Sequence, residues 1–248
     1  LIHIPTTLLA QVDASIGGKT GINHQSGKNL IGAFYQPSSI LIDTHTLTTL
    51  PTSESLSGAA EVIKTAIIRD PHLFKHLKKH ASKLKTFNYT RDIDLWTSII
   101  QTTCQNKIDV VETDEKESSQ RAILNFGHTI GHAIEASFNY STYKHGECVI
   151  FGMYAATHIA TLTHHITSQE ASKIYNLISD FGYSSLTLNP LDTTDILTRL
   201  KHDKKVHHDT IRFILPLQIG KVQIVSDIKP AIIKESLRFI QETFKGEP

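Results

Sequence analysis

The 248-residue chain carries 25 Lys and Arg against 24 Asp and Glu, so its formal net charge is +1 at pH 7. This balance removes most of the electrostatic case for a nucleic-acid or membrane partner, and no apolar run is long enough to span a membrane. The two cysteines, Cys104 and Cys148, lie in predicted helices without metal or disulfide spacing. We interpret them as reduced, buried thiols of a cytoplasmic protein.

The first part of the chain has the pattern of short strands joined by glycine-rich turns. Residues 1–5 and 39–43 are apolar and predict two β-strands. Between them, Gly17-Gly18-Lys19-Thr20 resembles the end of a P-loop, but the first glycine and the following helix are absent, which excludes a Walker site. A cationic anion site and a plain hairpin turn both stay open there. Residues 27–29 predict a further turn.

From Pro51 onward the apolar residues recur at helical spacing. Ser53 or Ser55 is the expected N-cap of a helix that reaches Arg69, with Glu61 and Lys64 as an exposed ion pair. A helix over residues 92–111 has Lys107 within its apolar stripe, which either snorkelling or a buried anion site would explain. Further helices are predicted over residues 146–162, 168–181, 193–202 and 230–244, with a β-hairpin at 211–215 and 221–225.

The richest chemistry lies between residues 121 and 147. Asn125 is the predicted N-cap of a helix on which His128, His132 and Glu135 fall at positions i, i+4 and i+7, along one face. A loop then leads to His145, just before the next helix. A helix with scattered polar residues in a His-rich chain is the alternative explanation.

This spacing suits a metal site with three protein ligands and one open position. His128 and His132 have the spacing of the zinc-binding HExxH helix, but Thr129 replaces the catalytic glutamate, so peptide hydrolysis is disfavoured. Spacing alone favours both histidines as ligands. With His145 and Glu61 also available, several combinations of two histidines and one glutamate stay open.

Basic residues are spread along the chain in a way that would create an unusually cationic pocket if they converged. Asn125 and the amides of a helix N-terminus would add hydrogen-bond donors. Such a pocket favours a polyanionic substrate with a phosphate and a carboxylate, and a metal beside its hydroxyls would suit hydride or proton transfer. The basic residues concerned are Lys19, Lys28, Lys64, Lys107, Arg121, Lys204 and Lys205.

Nine short blocks are spread along almost the whole chain, at residues 5–13, 17–20, 27–29, 32–37, 60–64, 114–115, 121–135, 145–147 and 203–205. In sequence and in order these blocks resemble the 3-dehydroquinate synthase family. The resemblance implies a lyase of the shikimate pathway that uses NAD and Zn²⁺ or Co²⁺. Its substrate would be a phosphorylated carboxylate, 3-deoxy-D-arabino-heptulosonate 7-phosphate, converted to 3-dehydroquinate and phosphate, and the full-length form would be a homodimer.

The resemblance also assigns roles to individual residues. It implies Glu61, His128 and His145 as metal ligands, which contradicts the spacing argument for His132. The implied substrate contacts are Lys107 and Arg121 to the carboxylate, Lys19, Asn125, His132 and one of Lys204 or Lys205 to the phosphate, and Asp13, Asn29, Lys64 and Glu117 to the hydroxyls. The implied NAD contacts are Thr6, Thr7, Lys19, Lys28, Thr46, Leu47, Thr48 and Thr49.

The implied fold is α+β. Residues 1–52 would be the C-terminal remainder of an N-terminal α/β dinucleotide-binding domain, and residues 53–248 a mainly α-helical metal- and substrate-binding domain. The Gly-rich turn by which the family binds the dinucleotide pyrophosphate does not occur in this sequence. We therefore interpret the chain as the C-terminal portion of such an enzyme and expect it to fold without tight NAD binding or turnover.

Three alternatives stay open. A related sugar phosphate cyclase has a substrate without a carboxylate, so the presence of both Lys107 and Arg121 favours the dehydroquinate reaction. A metal-dependent polyol dehydrogenase would share the architecture but would not need so many anion-binding groups. From a different class, the chain would be an inactive helical domain that binds only a metal or a partner.

Overall fold

The computed structural model describes residues 1–24, 27–115, 120–202 and 211–246, with the backbone alone for 23–24, 27–30 and 202. These residues form a mainly helical α+β fold, which confirms the predicted class. The strands are β1 (Ile2–His3), β2 (Lys19–His24), β3 (Gly27–Phe34), β4 (Ser39–Ile40), β5 (Phe213–Gln218) and β6 (Lys221–Val225). The helices are α1 (Thr52–Ile68), α2 (Pro71–Leu84), α3 (Ile93–Thr113), α4 (His128–Ser137), α5 (His145–Leu162), α6 (Ser168–Asp180), α7 (Thr193–His202) and α8 (Pro230–Thr243).

The described strands pair two by two. β1 and β4 are parallel, whereas β2 with β3 and β5 with β6 form antiparallel hairpins. The turn predicted at residues 27–29 was wrong, because β3 already begins at Gly27 and pairs along β2, with Ile31 opposite Ile22. Cross-strand pairing therefore overrides a local Gly-Lys-Asn turn signal.

Helices α1 and α5 form the centre of the hydrophobic core. Ala60, Ile63 and Ile67 of α1 are fully buried, and the apolar residues of α5 from Cys148 to Ala160 are almost all enclosed. Leu8 and Val12, in and next to the π-helix Ala10–Ala14, belong to the same core. The N-terminal segment is thus packed directly on the helical part. Among the described residues, no helix combines the length and apolar character that a bilayer crossing requires.

Glycines allow the N-terminal end of α5 and the helix α4 to approach their neighbours closely. A Cβ at Gly146 would lie 2.2 Å from the carbonyl oxygen of Ser57 in α1, and one at Gly152 would lie 1.8 Å from that of Gly127. The amide of Gly146 donates to the Ser57 hydroxyl at 3.0 Å. These contacts bring His145 next to α1 and next to α4, and so they build the site described below.

Two predicted helix N-caps were wrong. Pro51 precedes α1, and the Ser55 hydroxyl lies inside the helix, where it donates to the Pro51 carbonyl at 3.2 Å. Asn125 instead ends a 3₁₀-helix, Gln120–Asn125, and α4 begins after Gly127, whose φ is +78°. A side chain at Gly127 would also meet Met153 and Val149 of α5. Tertiary contact therefore sets the start of α4 in place of a side-chain cap.

Candidate metal and substrate site

Three potential metal ligands meet where α1 passes the first residues of α4 and α5. The Oε1 atom of Glu61 lies 3.6 Å from Nε2 of His128 and 3.7 Å from Nε2 of His145. All three ligand atoms are within 4.8 Å of one another. Ligands at about 2.1 Å from a tetrahedral zinc ion lie about 3.4 Å apart, so this spacing suits a divalent metal.

The burial and the hydrogen bonding of Glu61 support a bound cation at this position. Its side chain is 1% exposed, and its Oε1 atom has no hydrogen-bond partner within the described part of the chain. A buried carboxylate oxygen without a partner is costly in free energy, because the solvation lost on burial is not replaced. A metal ion would supply the missing interaction, and one carboxylate with two imidazoles is a donor set that suits Zn²⁺ or Co²⁺.

The second nitrogen of each histidine ligand also faces an acceptor. Nδ1 of His128 lies 3.1 Å from the Phe126 carbonyl oxygen, and Nδ1 of His145 lies 3.5 Å from Oε2 of Glu135. In the neutral form of each ring, a proton on Nδ1 leaves the Nε2 lone pair directed towards Glu61. Sequence reasoning assigned no partner to either ring, and no local pattern indicates the Phe126 carbonyl.

A second group of three potential ligands shares His145. His132, Glu135 and His145 also have ligand atoms within 4.8 Å of one another. The His132 ring centroid lies 5.1 Å from that of His128 and 5.8 Å from that of His145. The geometry thus brings the three histidines together, as the helix face predicts. The oxygen of Glu61 that lacks a hydrogen-bond partner favours the first group as the metal site.

The expected exposed ion pair between Glu61 and Lys64 is in fact buried. The Lys64 ammonium contacts Oε2 of Glu61, and the two side chains are 3% and 1% exposed. The expectation was wrong because α1 lies at the centre of the fold, where even its polar side is covered. Burial raises the pKa of Glu61, but the positive charge of Lys64 and the nearby His145 ring outweigh it and lower the pKa to about 2.

The pKa values of the two candidate histidine ligands, His128 and His145, are shifted in opposite directions. Burial, together with the positive charge of Lys64, lowers the pKa of His128 well below its ordinary value, so this ring is neutral at pH 7. Burial also lowers the pKa of His145, but the carboxylates of Glu135 and Glu61 outweigh it and raise the pKa to about 9. A metal ion at this position therefore has to displace a proton from His145.

Lys107 has a specific partner inside the protein. Its Nζ atom lies 2.6 Å from Oδ1 of Asp13 and 2.5 Å from the Asp13 carbonyl oxygen. Burial raises the pKa of Asp13, but the Lys107 charge outweighs it and holds the pKa below its ordinary value. The roles of Asp13 and Lys107 in substrate binding stay predictions.

Arg121 is a buried connection between two loops. Its side chain donates to the carbonyl oxygens of Glu115 at 2.5 Å and Gly17 at 2.8 Å, while its amide donates to Oδ2 of Asp114 at 2.9 Å. Arg121 is 2% exposed. In this structure the guanidinium therefore fixes the Gly17 turn, and its predicted contact with a substrate carboxylate stays a prediction.

Replacement of Arg121 by lysine should lower the free energy of unfolding by about 1–3 kcal/mol, because a single ammonium cannot reach both carbonyl oxygens in the geometry of the guanidinium. Urea denaturation followed by circular dichroism would measure the change. Arg69→Lys is the matched control, since Arg69 forms an exposed ion pair with Asp109 at 3.5 Å. Equal effects of the two substitutions would contradict the role of Arg121 as a connection between loops.

The remaining predicted residues lie on the N-terminal segment or outside the described residues. Thr6 and Lys19 are exposed, and the Thr7 hydroxyl accepts from the amide of Ala10 at 3.2 Å. Thr46, Leu47, Thr48 and Thr49 lie in a 3₁₀-helix, Thr44–Thr49, where Leu47 is fully buried. Lys28 and Asn29 are in β3, but their side chains lie outside the described part, as do Glu117, Lys204 and Lys205.

Comparisons with known proteins indicate the family of the chain. Residues 1–57 match the family model described as 3-dehydroquinate synthase N-terminal, and residues 58–206 match 3-dehydroquinate synthase C-terminal. The 3-dehydroquinate synthase of Rippkaea orientalis is 50% identical over 233 residues, which cover 94% of this chain and 63% of that protein. That of Desulforamulus reducens is 46% identical over 236 residues, or 94% and 64% of the two chains.

Solved structures of related enzymes have the same fold. The 2-epi-5-epi-valiolone synthase ValA from Streptomyces hygroscopicus, with NAD⁺ and Zn²⁺ bound, superposes with a TM-score of 0.87 at 26% identity over 97% of this chain and 66% of its own. A 2-deoxy-scyllo-inosose synthase complexed with carbaglucose-6-phosphate, NAD⁺ and Co²⁺ gives a TM-score of 0.79 at 28% identity over 98% and 66%.

The fold therefore places the protein among the sugar phosphate cyclases. Within that class, the chain belongs to the 3-dehydroquinate synthase family. It spans just under two thirds of the length of the two curated relatives compared above.

Proposed function

We propose that the chain is the metal- and substrate-binding part of a 3-dehydroquinate synthase. This cytoplasmic enzyme of the shikimate pathway converts 3-deoxy-D-arabino-heptulosonate 7-phosphate to 3-dehydroquinate and phosphate, and the full-length form is a homodimer. The observation that carries the proposal is the convergence of Glu61, His128 and His145 around a buried carboxylate oxygen without a hydrogen-bond partner in the described residues. The identity to named 3-dehydroquinate synthases favours this reaction over those of the other cyclases.

When bound, a zinc or cobalt ion would polarise a substrate oxygen and NAD would accept and return a hydride. The residues of the chain prepare the site for that chemistry. Lys64 keeps Glu61 ionised, and burial keeps His128 neutral, so that both offer a lone pair at pH 7. His132, half-buried beside His128 and His145, would donate a hydrogen bond to a substrate phosphate.

The two parts of the chain contribute differently in this proposal. Residues 1–52 supply contacts to NAD and to the substrate, including Thr6, Thr7 and Asp13. Residues 53–248 supply the metal ligands and most of the cationic groups. The ion pair of Asp13 and Lys107 joins the two parts, which is consistent with one composite site between them.

The metal assignment is tested by zinc affinity of two histidine variants. His128→Ala should weaken zinc binding by more than about 100-fold, because it removes a ligand, whereas His132→Ala should stay within ~3-fold of the unmodified chain. Competition with a chromophoric chelator would measure both dissociation constants. If His132→Ala loses zinc as His128→Ala does, both histidines are ligands, as their spacing on the helix predicts, and the assignment of Glu61, His128 and His145 is wrong.

The substrate assignment is tested by calorimetric titration of the zinc-loaded chain. The heptulosonate phosphate should bind at least about 10-fold more tightly than a cyclic sugar phosphate without a carboxylate, because one charged hydrogen bond contributes about 1.5–3 kcal/mol. Equal affinity for the two compounds would point to a different cyclase. The absence of binding for both would contradict the proposed function.

A further inference from the structure

We infer that Glu135 is a positioning residue for the metal site, which it serves by holding the His145 ring with Nε2 directed at the metal position. This inference rests on the proposed metal-binding function. Glu135 lies on the third turn of α4, seven residues after His128 and on the same face of the helix. The helical pattern identifies the face, but nothing in the sequence assigns this carboxylate a partner.

The contacts of the His145 ring define the role. Its Nε2 atom lies 3.7 Å from Oε1 of Glu61, and its Nδ1 atom lies 3.5 Å from Oε2 of Glu135. A neutral imidazole has one N–H and one lone pair, so the carboxylate that accepts the proton determines which nitrogen is left to bind a cation. With the proton on Nδ1 facing Glu135, the lone pair of Nε2 faces the position that it shares with Glu61 and His128.

The His145 ring needs such a partner more than the His128 ring does. The His145 side chain is 24% exposed and follows directly after the loop that ends at the N-cap Lys144. His128 is more enclosed and is already held by the Phe126 carbonyl at 3.1 Å. Glu135 therefore holds the His145 ring through its Nδ1 atom, as the Phe126 carbonyl holds the His128 ring.

Burial makes Glu135 effective in this role. Its side chain is 4% exposed, so water competes little for the carboxylate. The 3.5 Å separation is at the long end for a hydrogen bond. A cation on Nε2 makes the Nδ1–H group a stronger donor, so metal binding and the contact with Glu135 support each other.

The alternative role of Glu135 is that of a direct ligand in the group with His132 and His145. That arrangement would leave Oε1 of Glu61 buried and without a hydrogen-bond partner in the described residues, at a cost in free energy. The oxygen that lacks a hydrogen bond in the described residues belongs to Glu61, a member of the first group. The metal position therefore belongs beside Glu61, and Glu135 has a positioning role through His145.

The test is the substitution Glu135→Gln in the full chain, with zinc affinity and the visible spectrum of bound Co²⁺ as readouts. Loss of a carboxylate that orients a ligand histidine should weaken zinc binding by about 10–100-fold and change the Co²⁺ absorption bands. Glu135→Asp keeps the negative charge but moves it away from His145, because its side chain is shorter. The zinc affinity of this variant should therefore lie between that of the unmodified chain and that of Glu135→Gln. Circular dichroism of the metal-free proteins would confirm that the variants fold.

Glu147→Gln is the matched control. Glu147 lies two residues after His145, and its Oε2 atom accepts from the Lys144 amide at 2.7 Å to cap α5. A glutamine can cap in the same way, so this variant removes the same charge near His145 and should keep its zinc affinity within ~3-fold. An equal loss in both glutamine variants would show a general charge effect and overturn the inference.

The outcomes separate this inference from the proposed function. If the unmodified chain binds zinc, His128→Ala loses it, and Glu135→Gln keeps normal affinity and spectrum, only the positioning role fails. If Glu135→Gln and His132→Ala lose zinc while His128→Ala retains it, Glu135 is a ligand and both proposals fail. If the unmodified chain does not bind zinc, the proposed function is contradicted, and the positioning role that rests on it is contradicted too.

Discussion

Glu61→Gln should lose metal during dialysis, with zinc affinity reduced by more than about 100-fold, because the only anionic ligand of the proposed site becomes neutral while its volume is preserved. Elemental analysis after dialysis would measure the bound zinc. The matched control is Glu54→Gln on the same helix, since Glu54 pairs at the surface with Lys144 at 2.7 Å. Full zinc occupancy in Glu61→Gln would refute the ligand assignment.

The metal-free protein should lose about 3–5 kcal/mol of unfolding free energy on Lys64→Met, because the variant leaves the Glu61 carboxylate buried without its counter-charge. Zinc should then stabilise the variant more than the unmodified chain, since the ion replaces the lost positive charge. Urea denaturation with and without zinc would measure both effects. In the control Lys144→Met, which removes an exposed partner, the loss should stay below about 1 kcal/mol.

The difference in unfolding free energy between the unmodified chain and Lys64→Met should depend on pH, because the pKa of Glu61 is lowered in the folded chain. The pKa is about 2 in the folded chain against an ordinary value of 4.5, so the charge of Glu61 stabilises the fold above pH 4.5. That contribution is lost as the pH falls from 4.5 to 2. Without Lys64 the effect of burial dominates and the pKa rises, so the stability gap between the two proteins should be widest above pH 4.5 and narrow towards pH 2. A gap independent of pH would show that Lys64 acts through packing alone.

Periodicity predicted much of the fold correctly. The helices α5, α6 and α7 and the hairpin of β5 and β6 lie within a few residues of their predicted positions. These elements have apolar stripes or alternating strands bounded by turn residues, so their local sequence determines their type. The starts of α1 and α4 were predicted less well. Pro51 precedes α1 without a side-chain cap, and close contact between Gly127 and α5 sets the start of α4.

The spacing of residues along the chain cannot decide which histidines bind the metal. His128 and His132 are equivalent on a helical face, and the difference between them arises from Glu61, which approaches from another helix. Resemblance to a family supplied that choice. The contact of Lys107 with Asp13 joins residues 94 positions apart, and the contact of Arg121 with Gly17 joins residues 104 apart. Local sequence carries no signal for such pairs.

The close crossing of α4 and α5 has a consequence for how this protein can vary. At the crossing, Gly127 and Gly131 face Gly152 and the carbonyl of Cys148 with no room for a Cβ atom. The distance between the histidines on the two helices is therefore fixed by contact between main chains. Most of the apolar interior can change in size and shape through compensating substitutions without altering that distance. The spacing of the metal ligands on these two helices therefore depends on a few glycines, whose side chain is a single hydrogen atom. Substitutions elsewhere in the core should leave that spacing unchanged.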